Sequence, residues 1–132
     1  MTEKMRNDII NRLEAFQQKE KFAEDLSIFY PGISDISMQE PLSEIINSVA
    51  NEFKNFVLTQ RTTDKDLLQV IQGGLQSFKS VYINLDTEDR ERICLYMEEL
   101  MDIVGLESSG GTLNQFMYGW NFPLGEGSLS SP

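Results

Sequence analysis

Glu98 and Asp102 stand four residues apart in a stretch of helical spacing, so both carboxylates fall on one helix face, with Glu99 at its margin. Paired carboxylates can act as acid and base in a hydrolase, or hold Mg²⁺ or Ca²⁺. No loop in the chain follows a calcium-binding pattern, and the plainer role of these acids is solvated helix surface. The other role is a partner-facing acidic patch, which Glu107 and the aromatic residues Tyr118 and Trp120 would extend.

Cys94 is the one cysteine. A reactive thiol needs a nearby cation or a helix N-terminus, and Arg90 lies one turn back on the same predicted helix. Against this stands the ordinary role of a lone cysteine as a small buried hydrophobe. Histidine is absent altogether. That removes Ser–His and Cys–His nucleophile pairs, the commonest zinc sites and the usual general base at neutral pH. Gly73-Gly74 and Gly110-Gly111 follow no strand and match no phosphate-loop spacing. The expectation is a non-enzymatic chain with no catalytic residue, no metal site and no cofactor.

Charge says more about partners. The net charge is −10, and it is unevenly spread. Residues 1–21 hold five cations and four acids, whereas residues 22–53 hold six acids and no Lys or Arg. After Arg92 no cation follows, while Glu98, Glu99, Asp102, Glu107 and Glu126 do. Such a field repels phosphate backbones and anionic lipid and attracts basic surfaces. It excludes nucleic acid and membrane as expected partners and favours a basic protein, although acidity also serves solubility alone. A single cysteine fits a reducing compartment, and the N-terminus lacks the apolar core of a signal peptide. The expected location is cytoplasmic.

The elements that position these groups read as all-α. Apolar residues recur at three and four positions without sustained strand-type alternation. The spacing predicts a first helix from Thr2 to Lys19, with Met5, Ile9, Leu13 and Phe16 on one face, and a short second helical stretch over Lys21–Phe29. Residues 31–40 read as a loop. Pro41 opens a helix with the stripe Leu42, Ile45, Ile46, Val49, Phe53, Phe56 and Val57, ending near Gln60.

Thr63 is the expected N-cap of the next helix, whose pattern continues from Leu67 to Tyr82 across Gly73-Gly74. Two interior glycines either break that helix or mark a close approach by another element. Asp86 or Thr87 caps a helix carrying Ile93, Tyr96, Met97, Leu100, Ile103 and Val104, which Gly105 ends. Thr112 is the expected cap of a last short helix that stops at Gly119. Aromatics at 116, 118, 120 and 122 either seal the core or form a partner epitope. The reading is one irregular bundle of five or six helices over residues 1–124, with a short aromatic C-terminal segment and a disordered tail at 125–132.

The run from Asp86 to Cys94, the run Met97-Glu98-Glu99-Leu100-Met101-Asp102-Ile103-Val104-Gly105-Leu106-Glu107-Ser108-Ser109, and the closing Phe116-Met117-Tyr118-Gly119 carry a family likeness. They resemble a small uncharacterised all-helical family of bacterial proteins of Bacteroidetes type. The resemblance implies a bacterial, single-domain helical protein and brings no functional residues.

Function therefore rests on surfaces. The leading expectation is an acidic protein-binding module, an adaptor or an analogue of small immunity proteins that neutralise a basic toxin. Its candidate surface is Glu98, Glu99, Asp102, Glu107, Tyr118 and Trp120. The alternatives are a structural homo-oligomer and, less favoured, a carboxylate-based metal binder or enzyme.

Overall fold

A computed structural model of the chain describes residues 1–119. Trp120, the aromatic Phe122 beyond it, the boundary at 124 and the tail at 125–132 lie outside the described residues. Within them the chain is all-α, with five α-helices, three short 3-10 segments and no strand. Helix α1 spans Glu3–Gln18, α2 Gln39–Leu58, α3 Asp64–Gln76, α4 Thr87–Val104 and α5 Thr112–Tyr118.

Helix α2 is central. It packs on α1, α3 and α4, while α4 also meets α1 and α5. The predicted stripe of α2 is the reason: Leu42, Ile46, Val49, Phe53 and Val57 are buried, and Ile45 and Phe56 pack at its margin. They join Leu13 and Phe16 of α1, Leu67 and Ile71 of α3, and Met97 and Leu100 of α4 in one core. Met5, expected on the buried face of α1, is instead 55% exposed at the helix start.

Most termini follow local chemistry. Thr2 accepts from the Met5 N–H, and Thr63 from the Asp66 N–H, both at 3.1 Å. Asp86 and Asp89 form a reciprocal capping box on α4, and Gly105 ends that helix in left-handed backbone (φ 84°). At α5 the cap position belongs to Gly111, and Thr112 is the first helical residue with no side-chain cap bond.

Gly73-Gly74 does not break α3, which runs through to Gln76. A Cβ on Gly74 would meet Val49 of α2, whereas nothing lies within 4 Å of one on Gly73. The pair therefore serves a close helix approach at one position only. Beyond Gln76 the helical pattern tightens into a 3-10 segment, Lys79–Asn84, instead of continuing α3 to Tyr82.

The helix expected over Lys21–Phe29 is replaced by a hairpin. Lys21 is 2% exposed, and its ammonium turns back to donate to the carbonyls of Phe16 (2.6 Å) and Lys19 (2.8 Å) at the end of α1. Phe22 then takes a left-handed backbone (φ 64°), which breaks helical continuity. Asp25 and Tyr30 exchange both backbone bonds at 2.8 and 3.0 Å, and the Ile33 N–H donates to the Phe22 carbonyl at 3.0 Å. The apolar periodicity of this segment serves a loop whose base is buried and whose tip is not.

Candidate functional site: an acidic groove between α4 and α5

Helix α4 contributes Cys94, Glu98, Met101 and Asp102 to one wall of an open groove of about 640 Å³. Those positions are separated by four, three and one residues, so they share a face of the helix. The connection after Gly105 adds Leu106, Glu107, Ser108 and Ser109, and α5 closes the other wall with Leu113, Asn114, Met117 and Tyr118. Cys94, Met101, Leu106 and Leu113 are buried, whereas Glu98, Asp102, Glu107 and Tyr118 are exposed. The result is an apolar floor with a rim of three carboxylates and a phenol, and among the described residues no Lys or Arg lines it.

Four of the six candidate surface residues thus come together. Glu99 does not join them. Its carboxylate pairs with Lys19, the residue that caps the end of α1, at 2.7 and 2.8 Å, in a cleft against α1 that Asp102 also borders. Trp120 lies outside the described residues. With Glu99 turned away, the three carboxylates that a metal site would need do not converge, and no such cluster of potential ligands occurs among the described residues.

A seven-residue helix such as α5 is too short to hold itself, so its position depends on side chains. Phe116 is fully buried and packs edge-on against Phe78 and Tyr82, with ring centroids 5.9 and 5.2 Å away. The Tyr82 hydroxyl donates to the Phe116 carbonyl, and Arg90 donates to the Met117 carbonyl at 3.3 Å while also holding the Leu85 carbonyl. Two of α5's last carbonyls are thereby tied to neighbouring elements, which fixes the wall bearing Met117 and Tyr118.

Arg90 was the candidate activator of Cys94, and the structure assigns it this clamping role instead. A cation in the first turn of a helix, where the dipole disfavours it, was the signal that it had a partner elsewhere.

Cys94 is 7% exposed, and its Sγ lies 3.6 Å from the Leu113 carbonyl as a weak donor. Burial, followed by the negative charges of Glu98 and Glu91, pushes its pKa up to about 12. The thiol is therefore protonated at neutral pH and sits in the groove floor as an apolar group. The outer edge of α4 extends the acidic surface, because Glu91 and Leu95 continue the exposed line of Glu98 and Asp102.

With that geometry in place, comparison with known proteins defines the class. Residues 4–121 match the family model described as Domain of unknown function (DUF4844), and the chain belongs to that family. It is also similar to the crystal structure of a DUF3571 family protein from Acinetobacter baumannii. That similarity is 33% in sequence with a TM-score of 0.81, over 89% of this chain and 94% of the other. A comparison with curated proteins finds no match. The resemblance to an uncharacterised bacterial domain family is supported at that level, and the narrower Bacteroidetes attribution stays an expectation. Among the described residues, no helix is long and apolar enough to cross a membrane.

Proposed function

We propose that this chain is a non-enzymatic protein-binding module whose α4–α5 groove receives a basic segment of another protein. One observation carries the reading: Glu98, Asp102 and Glu107 rim an apolar floor of Met101, Leu106 and Leu113, with no cation among the described lining residues. Carboxylates at the rim favour lysine or arginine side chains and speed their approach, while the floor accepts an apolar side chain beside them.

An adaptor role, or neutralisation of a basic protein in the manner of an immunity protein, fits such a surface. A cytoplasmic setting belongs to the same reading, supported by the single buried thiol. Catalysis is not part of this reading, in which the rim carboxylates serve to bind cationic side chains.

The test is an affinity pull-down from source-cell lysate at low and high salt, with wild-type protein and with Glu98→Lys plus Asp102→Lys. The reading expects a basic protein retained by the wild type at low salt, and lost both at high salt and with the charge-reversed variant. Retention of the same partner by the variant would contradict it.

A further inference from the structure

Two phenylalanines of the hairpin between α1 and α2 occupy left-handed backbone, and the fold buries only one of them. Phe22 (φ 64°) is 1% exposed. Its ring lies 5.1 Å from that of Tyr96, and its N–H donates to the Tyr96 hydroxyl at 2.8 Å. Phe29 (φ 57°) is 89% exposed at the opposite end of the hairpin. Left-handed backbone is unfavourable for a bulky L-residue, and a phenyl ring in water adds a hydration penalty. Burial of Phe22 offsets both effects. At Phe29 the backbone closes the turn, its N–H donating to the Leu26 carbonyl at 3.3 Å, while the ring stays in water. Leu26 and Ile28 beside it are 74% and 50% exposed, so the tip is a contiguous apolar point.

The base of the same hairpin is fixed. Arg92 stacks over the buried Tyr30 ring at 4.1 Å, and the Ser34 hydroxyl donates to Asp89 at 2.7 Å. An apolar tip on a rigid base loses little conformational freedom when it inserts into a partner.

Charge selects the occupant. Glu24 and Asp25 lead into the tip, and the cleft beside them holds Glu20 and Glu99 as well against the cations Lys19 and Arg92, so acids outnumber cations there. A second copy of a chain of net charge −10 brings like charge to this surface, and so does an anionic lipid headgroup. A protein surface with an apolar socket edged by lysine or arginine complements it.

We propose that the hairpin tip Leu26–Ile28–Phe29 is a docking anchor that inserts into a cation-edged apolar socket on a partner protein. This surface is separate from the α4–α5 groove and does not depend on it.

The probe is a fluorescent amphipathic helical peptide of leucine and lysine, whose apolar stripe is edged by ammonium groups. Its affinity is measured by anisotropy for the wild type, Phe29→Asn, Ile83→Ser, and the double variant Glu98→Lys plus Asp102→Lys. Asparagine accepts left-handed backbone readily, so Phe29→Asn is expected to keep or raise Tm while weakening peptide binding about tenfold or more. Ile83 is 90% exposed in the 3-10 segment, and its replacement is expected to change neither quantity. Adding Phe29→Asn to the groove double variant should produce the same loss, which separates failure of the anchor from failure of the groove.

Unchanged affinity in Phe29→Asn would overturn the proposal, as would no binding by the wild type. A fall in Tm would also overturn it, because Phe29 would then serve the fold itself. Self-association of the wild type that vanishes in Phe29→Asn would assign the tip to a second copy instead.

Discussion

Lys19, at the end of α1, holds Glu99 on α4 in an ion pair at 2.7 Å, and this contact draws one of the α4 carboxylates away from the groove. Glu99 is committed to the helix pair, while Glu98 and Asp102 face the groove. Both partners of the ion pair remain nearly half exposed, at 47% and 43%, so solvent screens their attraction. Glu99→Gln should therefore cost less than about 1 kcal/mol in chemical denaturation. It should also leave association with a basic partner close to that of the wild type, whereas Glu98→Lys plus Asp102→Lys should slow it strongly.

The two adjacent glycines of α3 should respond to alanine with opposite signs. Gly73 is exposed with open space around it, so Gly73→Ala should stabilise the protein by about 0.5–1 kcal/mol through helix propensity. Gly74 is buried against Val49, and a methyl group there must displace the Val49 side chain or the helix that carries it. Gly74→Ala should destabilise by about 1–3 kcal/mol, as overpacked cores do. Urea titration of the two variants reads both signs, and equal effects would mean that α2 and α3 do not approach at this point.

Cys94 should behave as a core group in solution. Ellman's reagent at pH 8 should label it slowly in the native protein and rapidly in denaturant. Its raised pKa also predicts a pH dependence. The folded thiol keeps its proton up to about 12, whereas an unfolded one loses it from about 9, so the unfolded state binds fewer protons in that window. The stability contributed by this group is complete below pH 9 and declines as pH rises towards 12. The stability difference between wild type and Cys94→Ala should therefore shrink above pH 9. A difference that stays constant with pH would place the thiol in solvent.

Lys21 makes the opposite case. Burial and the neighbouring Lys19 lower its pKa to about 8 from an ordinary 10.5, with Glu99 opposing. Between those values the unfolded chain holds more protons than the folded one, so this group's contribution to stability rises with pH from about 8 to 10.5. Its bonds to the Phe16 and Lys19 carbonyls nevertheless make it the terminal cap of α1. Lys21→Met leaves those acceptors unpaired and should cost about 1–3 kcal/mol by denaturant titration. It should also abolish the rise of stability above pH 8 that this lysine contributes.

The helices were legible because their signals are local. The stripe of α2, the Thr63 cap and the Asp86 cap each depend on residues within one or two turns, and all three appear where the spacing places them. The segment after α1 was not legible in the same way. Its apolar residues have helical spacing, but the conformation is set by distant partners: Tyr96 for Phe22, Arg92 for Tyr30 and Asp89 for Ser34. The groove falls between these cases. That Glu98 and Asp102 share a face follows from helix geometry, whereas the addition of Glu107 and Tyr118 depends on the turn at Gly105 and on the clamps that Arg90 and Tyr82 place on α5. The separation of Glu99 from this set needed the long-range contact with Lys19, which no local pattern encodes.

The role proposed for the α4–α5 groove is to bind a basic protein segment through its carboxylates. The most direct measurement is the association rate of the recovered basic partner, followed by stopped flow from low to physiological ionic strength. Screening shortens from about 30 Å at 0.01 M to about 8 Å at 0.15 M, so a groove-steered encounter should slow steeply over that range. The charge-reversed variant Glu98→Lys plus Asp102→Lys should associate slowly at every salt concentration and lose most of that dependence. A rate indifferent to salt, or identical in wild type and variant, would contradict the claim.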